Sequence, residues 1–127
     1  MSKSIFISCV YEDSHRIDSI KKWALDGRLG DVSITHETED KRTLGKEAIK
    51  QYIKSKIEGA TYVFVLIGQN THNHDWIEAE VELANSFHKE VVCVRLPHAT
   101  GAVPLLLSNK NILSFDPDTI KKYITVN

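Results

Sequence analysis

A chain of 127 residues sets the prior at one domain, spanning residues 1–127, because two would each fall below a comfortable size. Hydrophobic residues make up 42% and charged residues 26%, ordinary values for a soluble globule and outside the disordered class. Sixteen Lys and Arg against seventeen Asp and Glu give a net charge of −1, which excludes a strong pull toward nucleic acid or an anionic membrane.

Along the chain, Ser4 to Val10 is a short β-branched and aromatic run without polar alternation, as expected of a strand buried on both faces. No signal-peptide architecture precedes it. Glu12, Asp13 and Ser14 offer acidic and capping residues, and Ile17, Ile20 and Ala24 then fall at helical spacing with Trp23 beside them. Gly27 and Gly30 end that helix. Asp31 to His36 is a weaker strand, and Glu37 to Arg42 a charged loop. Leu44 to Gly59 is the clearest helix, with Ile49, Ile53 and Ile57 in one stripe and Ala48 and Tyr52 beside it. Ala60 to Ile67 is a second two-sided strand, closed by Gly68; its apolar run is far too short to cross a bilayer. A polar loop, Asn70 to Asp75, leads to a third helix over Trp76 to Lys89. Glu90 to Leu96 is another strand, residues 98–110 a loop with one helical turn around Leu105 to Leu107, Asn111 to Phe115 a short last strand, and Asp118 to Thr125 a final helix. The two cysteines, Cys9 and Cys93, lie far apart inside apolar runs, which suits a reducing cytoplasm rather than a disulfide framework.

Strands alternating with helices predict an α/β fold: a single flavodoxin-like domain with a five-stranded, mainly parallel sheet and helices on both faces. Right-handed crossovers favour the strand order 2-1-3-4-5. In such sheets the ligand site lies at the carboxyl ends of the strands, beside the switch point between strands 1 and 3. Two segments meet there, Ser8 to Ser14 and Gly68 to the start of the third helix.

That helix carries a carboxylate in an unexpected place. With about 100° per residue, Glu80 falls roughly 40° from Trp76, in the middle of the apolar face with Ile77, Leu83 and Ala84 around it. Glu78, Glu82, Asn85 and Ser86 occupy the opposite, solvated sector. Asp75 serves as N-cap, with Glu78 completing a capping box. A buried carboxylate without partners costs several kcal/mol, so Glu80 either meets backbone amides or a Lys, or lines a cleft as a catalytic group. The wheel leaves both open.

Phe6-Ile7-Ser8 at the first strand, Tyr62-Val-Phe-Val-Leu-Ile-Gly68, and Asp75-Trp-Ile-Glu-Ala-Glu80-Val81 together resemble a TIR domain. More narrowly, they resemble the TIR-like family that includes the Thoeris antiphage signal-producing subunit ThsB. The likeness runs over nearly the whole chain, and its most specific piece is a Trp followed four residues later by a Glu, after an Ile-Gly strand end and a Thr-containing loop. The resemblance implies that Glu80 is catalytic in cleaving the nicotinamide–ribose bond of NAD. NAD is then a substrate, and no cofactor or metal is required. With placement at the switch point, it implies that Ser8, Cys9, Tyr11 and Trp76 wall the substrate pocket. It further implies a cytoplasmic enzyme that makes a cyclic ADP-ribose-type signal, a diffusible nucleotide read by a separate effector protein. A phage-derived trigger and self-association through the loop after strand 2, here Glu37 to Arg42, complete that picture. Cys9-Val10-Tyr11 lacks the basic residues some animal TIR enzymes carry after the first strand. One carboxylate suits the chemistry: nicotinamide leaves without a general acid, and the group left to stabilise is an oxocarbenium-like ribose.

Other motifs weigh less. His72-Asn73-His74-Asp75 has the start of an H-x-H metal motif, but Asp75 stands one position too early and no further His follows. Glu12 and Asp13 resemble the acidic pair of receiver domains, which also need a phosphorylatable Asp that Ile67-Gly68-Gln69 does not offer. Cys9 at a strand end reads as packing rather than a nucleophile. Lys46, Lys50 and Lys54 read as a solvated helix flank, and Trp23 as core. Two rival functions survive: a non-catalytic TIR-like interaction module, and a nucleoside deoxyribosyltransferase-like enzyme.

Overall fold

The two-sided apolar runs form the centre of a sheet. The computed structural model describes residues 3–9, 13–36, 46–69, 71, 75–97, 99–101, 103, 107 and 110–126, and of residues 46, 47, 49, 52, 75, 76 and 126 the backbone alone. Its elements are β1 (Lys3–Ser8), α1 (His15–Leu25), β2 (Val32–His36), α2 (Lys46–Glu58), β3 (Tyr62–Ile67), α3 (Asp75–Ser86), β4 (Glu90–Arg95), β5 (Ile112–Ser114) and α4 (Pro117–Val126). They form one five-stranded sheet in the order β2-β1-β3-β4-β5. Every pairing is parallel, as the βαβ alternation requires. No described helix is long and apolar enough to cross a membrane.

The pleat divides the core in two. Phe6, Val63, Val65, Ile67, Val91 and Cys93 face one layer, where Ile53 and Ile57 of α2 and Ile77, Val81 and Ala84 of α3 cover them. Ile5, Ile7, Tyr62, Phe64, Leu66, Val92 and Val94 face the other, under Ile17 and Ile20 of α1 and Ile120 and Ile124 of α4. All six residues of β3 are buried, which is why that run lacks polar alternation. Trp23 packs in the second layer, its ring 4.8 Å from that of Phe115, and so belongs to the core as its position suggested.

Element ends differ from the sequence reading in explicable ways. β1 stops at Ser8, where its pairing with β3 ends opposite Val65, and β2 has already ended opposite Ile7. α3 begins at Asp75 rather than after it; the side chain of Asp75, and with it the expected capping box, lies outside the described residues. α4 begins at Pro117, whose fixed φ suits a first helical position. Asp116 caps it, its Oδ2 accepting from the Thr119 amide and hydroxyl, both at 2.9 Å. Those bonds hold the Asp116 carboxyl below the usual range. Ala48, expected beside the α2 stripe, is exposed, and the side chains of Ile49 and Tyr52 lie outside the described residues. The expected turn at Leu105 to Leu107 lies outside the described residues except for buried Leu107.

Two helices end in the same device. After α1, the Arg28 amide bonds the Trp23 carbonyl at 2.9 Å and the Gly27 amide bonds that of Ala24 at 3.2 Å. After α3, the Lys89 amide bonds Ala84 at 3.0 Å and the His88 amide bonds Asn85 at 3.1 Å. Both are Schellman motifs, which place one residue in the left-handed region. In α1 that residue is Gly27, φ 79°; in α3 it is His88, φ 58°. A Cβ is strained there, and His88 is exposed with little to offset the strain. His88→Gly is expected to raise stability by on the order of 0.5 kcal/mol, after the added freedom of the unfolded glycine is subtracted. A urea midpoint that rises at unchanged slope checks this; a lowered midpoint contradicts it.

Candidate active site

Sequence parity decides what the end of β1 presents. Ser8 shares a face with Phe6 and therefore points into the α2–α3 layer, whereas Cys9 joins the α1–α4 layer. On α3, Ile77, Val81 and Ala84 fix the helix against the sheet, and that rotation drives Glu80 inward. Glu80 is fully buried. Its Oε1 accepts from Ser8 Oγ at 2.6 Å, within the range of a hydroxyl bound to a carboxylate. The wheel placed Glu80 on the apolar face, and burial follows; the partner is a strand hydroxyl that helical spacing alone does not reveal. Glu82, on the opposite sector of α3, pairs instead with Lys50 of α2 at 2.7 Å and ties the two helices together.

Cys9 stands where the β1 chain leaves the sheet. Burial, then the charges of Glu80 and Asp13, push its thiol up to about 12. A thiol so shifted stays protonated at neutral pH and is a poor nucleophile. Asp13 itself arrives from the turn before α1, and its carboxylate lies against Gly68 at the end of β3. A Cβ on Gly68 would stand 2.8 Å from Asp13 Cγ, closer than real Cβ atoms come to heavy atoms, so the approach needs glycine.

The β3 end is stapled from below. The Gly68 amide donates to Thr71 Oγ1 at 2.8 Å, and Thr71 Oγ1 donates to the Leu66 carbonyl at 3.2 Å, fully buried. Beyond it, Gln69 Nε2 donates to Thr100 Oγ1 at 3.2 Å and Gln69 Oε1 accepts from the amides of Thr100 and Gly101. Arg95 Nη1 donates to the Gly101 carbonyl at 2.9 Å. The loops after β3 and β4 are thereby joined into one rim.

At the carboxyl edge between β1 and β3 one carboxylate thus arrives from each side of the sheet, Glu80 from the α3 layer and Asp13 from the turn before α1. A buried carboxylate held by a hydroxyl can stabilise developing positive charge, because the surrounding apolar layer screens it poorly. Of the expected site residues, Ser8, Cys9 and Glu80 converge here. Tyr11 and the side chain of Trp76 lie outside the described residues, although the Trp76 backbone begins α3 at the same edge. His72 and His74 also lie outside them.

A family model of the Thoeris protein ThsB, TIR-like domain, matches residues 6–101, most of the chain, including Ser8, Asp13, Gly68 and Glu80. The chain belongs to that family. Solved structures agree on the fold. The TIR domain heterodimer of RPS4 and RRS1 superposes with a TM-score of 0.56 at 15% identity, over 99% of this chain and 94% of that one. The CMP N-glycosidase BcmB of Clostridium botulinum gives 0.54 at 9% identity, over 97% and 99%. The TIR domains of the activated Roq1 resistosome, which recognises the pathogen effector XopQ, give 0.53 at 14%, over 98% and 71%. No curated protein sequence matches the chain.

Sequence reasoning set Asp13 aside as a receiver-like feature and read Gly68 only as a strand terminator. The available signal was their position, since both fall in the two segments that the switch point selects. Cys93 is likewise buried and pushed up to about 11 by that burial. Neither thiol of this TIR-like chain is expected to react with iodoacetamide at about pH 8 while folded, and both should react in urea. Labelling of Cys9 in the folded protein would show an open, charged thiolate instead.

Proposed function

We propose that this TIR-like protein cleaves the nicotinamide–ribose bond of NAD and forms a cyclic ADP-ribose-type signal in antiphage defence. The observation that carries the reading is Glu80, a fully buried carboxylate held by Ser8 at the switch-point edge. As the C1′–N bond breaks, both electrons pass to the nicotinamide ring nitrogen and neutralise its positive charge. The ribose takes up positive character, which Glu80 offsets. Water, or a hydroxyl or ring nitrogen of the same molecule, then bonds to C1′ and releases one proton. Cys9, Tyr11 and Trp76 form the walls of the substrate pocket. The signal acts on a separate effector protein, and a phage-derived trigger starts its synthesis in the cytoplasm.

Family membership supports this reading. The N-glycosidase among the structural neighbours shares only the fold at 9% identity, but its bond class makes CMP a useful comparison substrate. Incubation with NAD, CMP and deoxynucleosides, read by chromatography, tests the proposal directly. Nicotinamide release supports it, and release of a base from CMP or deoxynucleosides alone overturns it.

Glu80→Gln keeps an oxygen for Ser8 but removes the charge. Cleavage is expected to fall by roughly 10²–10³-fold or more. The melting temperature should stay unchanged or rise slightly, because a buried amide costs less than a buried carboxylate. Full activity removes Glu80 from the mechanism, and a large loss of stability assigns it a structural role.

Activity is also expected to depend on assembly, since unrestrained NAD cleavage would be toxic to the host cell. The loop Glu37 to Arg42 lies outside the described residues; its sequence carries Glu37, Glu39 and Asp40 followed by Lys41 and Arg42, charges suited to head-to-tail pairing. Specific activity should rise with protein concentration or infected-cell lysate, and the double variant Glu39→Lys, Lys41→Glu should weaken that rise. Activity independent of dilution and unaffected by these substitutions overturns it.

A further inference from the structure

Away from Ser8 and Glu80, a cavity of about 490 Å³ opens where β4 and β5 end. Arg95, Pro97, Ile112, Leu113, Ser114 and Phe115 line it, so no carboxylate stands in its described lining. Both its size and its make-up, apolar walls with a few polar groups, are those of a small-molecule site. It also lies at the carboxyl edge of a parallel sheet, where such sites form. β5 is the last strand and has only three residues, so residues of both its faces reach the cavity. Ile112 is 49% exposed, and Ser114, opposite Arg95 in register, is exposed as well.

Arg95 is the cation of this cavity, half-buried and with no carboxylate paired to it among the described residues. A guanidinium partly withdrawn from water without a counter-charge is unfavourable, and an arriving anion offsets that cost. One donor, Nη1, is engaged by the Gly101 carbonyl at 2.9 Å. Gly101 lies flat on the end of β3, where a Cβ would collide with the carbonyls of Gly68 and Gln69. The head of Arg95 is thereby oriented, and the rest of its fork stays open to a ligand. A second cation, Arg16, stands 5.8 Å from the ring centroid of Phe115 on the cavity wall. The neighbouring carboxylate, Asp116, is turned to the α4 cap. A guanidinium fork matches phosphate two oxygens at a time, and the Phe115 and Ile112 surfaces suit a flat base. We propose that this cavity binds a nucleoside diphosphate group, with its phosphates on Arg95 and Ser114 and its base against Phe115 and Ile112. Two sources share that chemistry: the ADP half of a dinucleotide held at Glu80, or a free nucleotide. Only the first depends on the NAD-cleaving reading.

Calorimetry on the whole chain compares ADP with adenosine. ADP is expected to bind roughly 10–100-fold tighter, the size expected for hydrogen bonds between charged groups. Arg95→Gln should remove that margin, and Arg95→Lys, which keeps the charge but not the fork, should restore part of it. The Lys variant separates a phosphate contact from a loosened Gly101 loop, because the loop answers to geometry and not to charge. Ser114→Asp, at an exposed position, sets a carboxylate beside Arg95 and should also abolish the margin. It carries the readout if the Arg95 variants fold poorly. ADP that binds no tighter than adenosine overturns the proposal, as does a margin that survives Arg95→Gln or Ser114→Asp. Arg95→Lys as weak as Arg95→Gln assigns the loss to the loop and overturns it too. Self-association that Ile112→Lys abolishes, in a protein that does not bind ADP, gives the cavity to a second copy and overturns it likewise. NAD added to the ADP complex of Glu80→Gln tells the sources apart. Displacement of ADP assigns the cavity to the substrate's own ADP half, and joint binding assigns it to a free nucleotide; both support the site. NAD that does not bind contradicts the NAD-cleaving reading alone, since ADP still occupies the cavity.

Discussion

A carboxylate removed from water must be held by donors, or the fold loses several kcal/mol. In this chain the Ser8 hydroxyl supplies one such donor, to Glu80 Oε1, across two elements far apart in sequence. Its geometry depends on both neighbours. β1 must keep the pleat that sends Phe6 and Ser8 to one face, and α3 must keep the rotation set by Ile77, Val81 and Ala84. A slip of β1 by one residue would turn Ser8 to the α1 layer and take its donor away from Glu80 Oε1. Register in β1 and rotation of α3 are thus coupled through one hydrogen bond.

That coupling explains why the surrounding structure is so firmly tied. β3 is buried throughout and pairs on both sides, which fixes the edge beside which Ser8 and Glu80 meet. Lys50 and Glu82 hold α2 to α3. Thr71, Gln69 and Arg95 fasten the loops that follow β3 and β4. The role proposed for Glu80 requires a carboxylate whose direction is fixed before substrate arrives, and these contacts fasten the elements around it.

The alternation of strands and helices, the sheet order and the inward turn of Glu80 were legible because each depends on local periodicity or on general handedness rules. So was the core role of Trp23. What escaped was set by contacts between segments distant in sequence. Asp13 looked like one of two acidic residues before a helix, and its meeting with Gly68 exists only once β1 and β3 pair. Thr71 read as a polar loop residue, whereas its hydroxyl replaces a missing backbone partner inside the fold. His88 in the left-handed position resembles nothing in its own sequence context; only the hydrogen bonds of Lys89 and His88 back into α3 reveal it.

The structural neighbours share 9–15% identity with this chain, yet superpose over almost all of it. Such conservation of shape without sequence follows when a fold rests on apolar pattern and handedness, which many residues satisfy. The switch-point edge is different. There each position answers to a single atom or its absence: the Ser8 hydroxyl, the Glu80 oxygen, the missing Cβ of Gly68. Changes in the layers can be absorbed by repacking, whereas a change at the edge removes a donor or fills a space that nothing else can restore. The fold therefore supplies a rigid frame of general form, and the function proposed for this protein rests on the few side chains where β1, β3 and α3 converge.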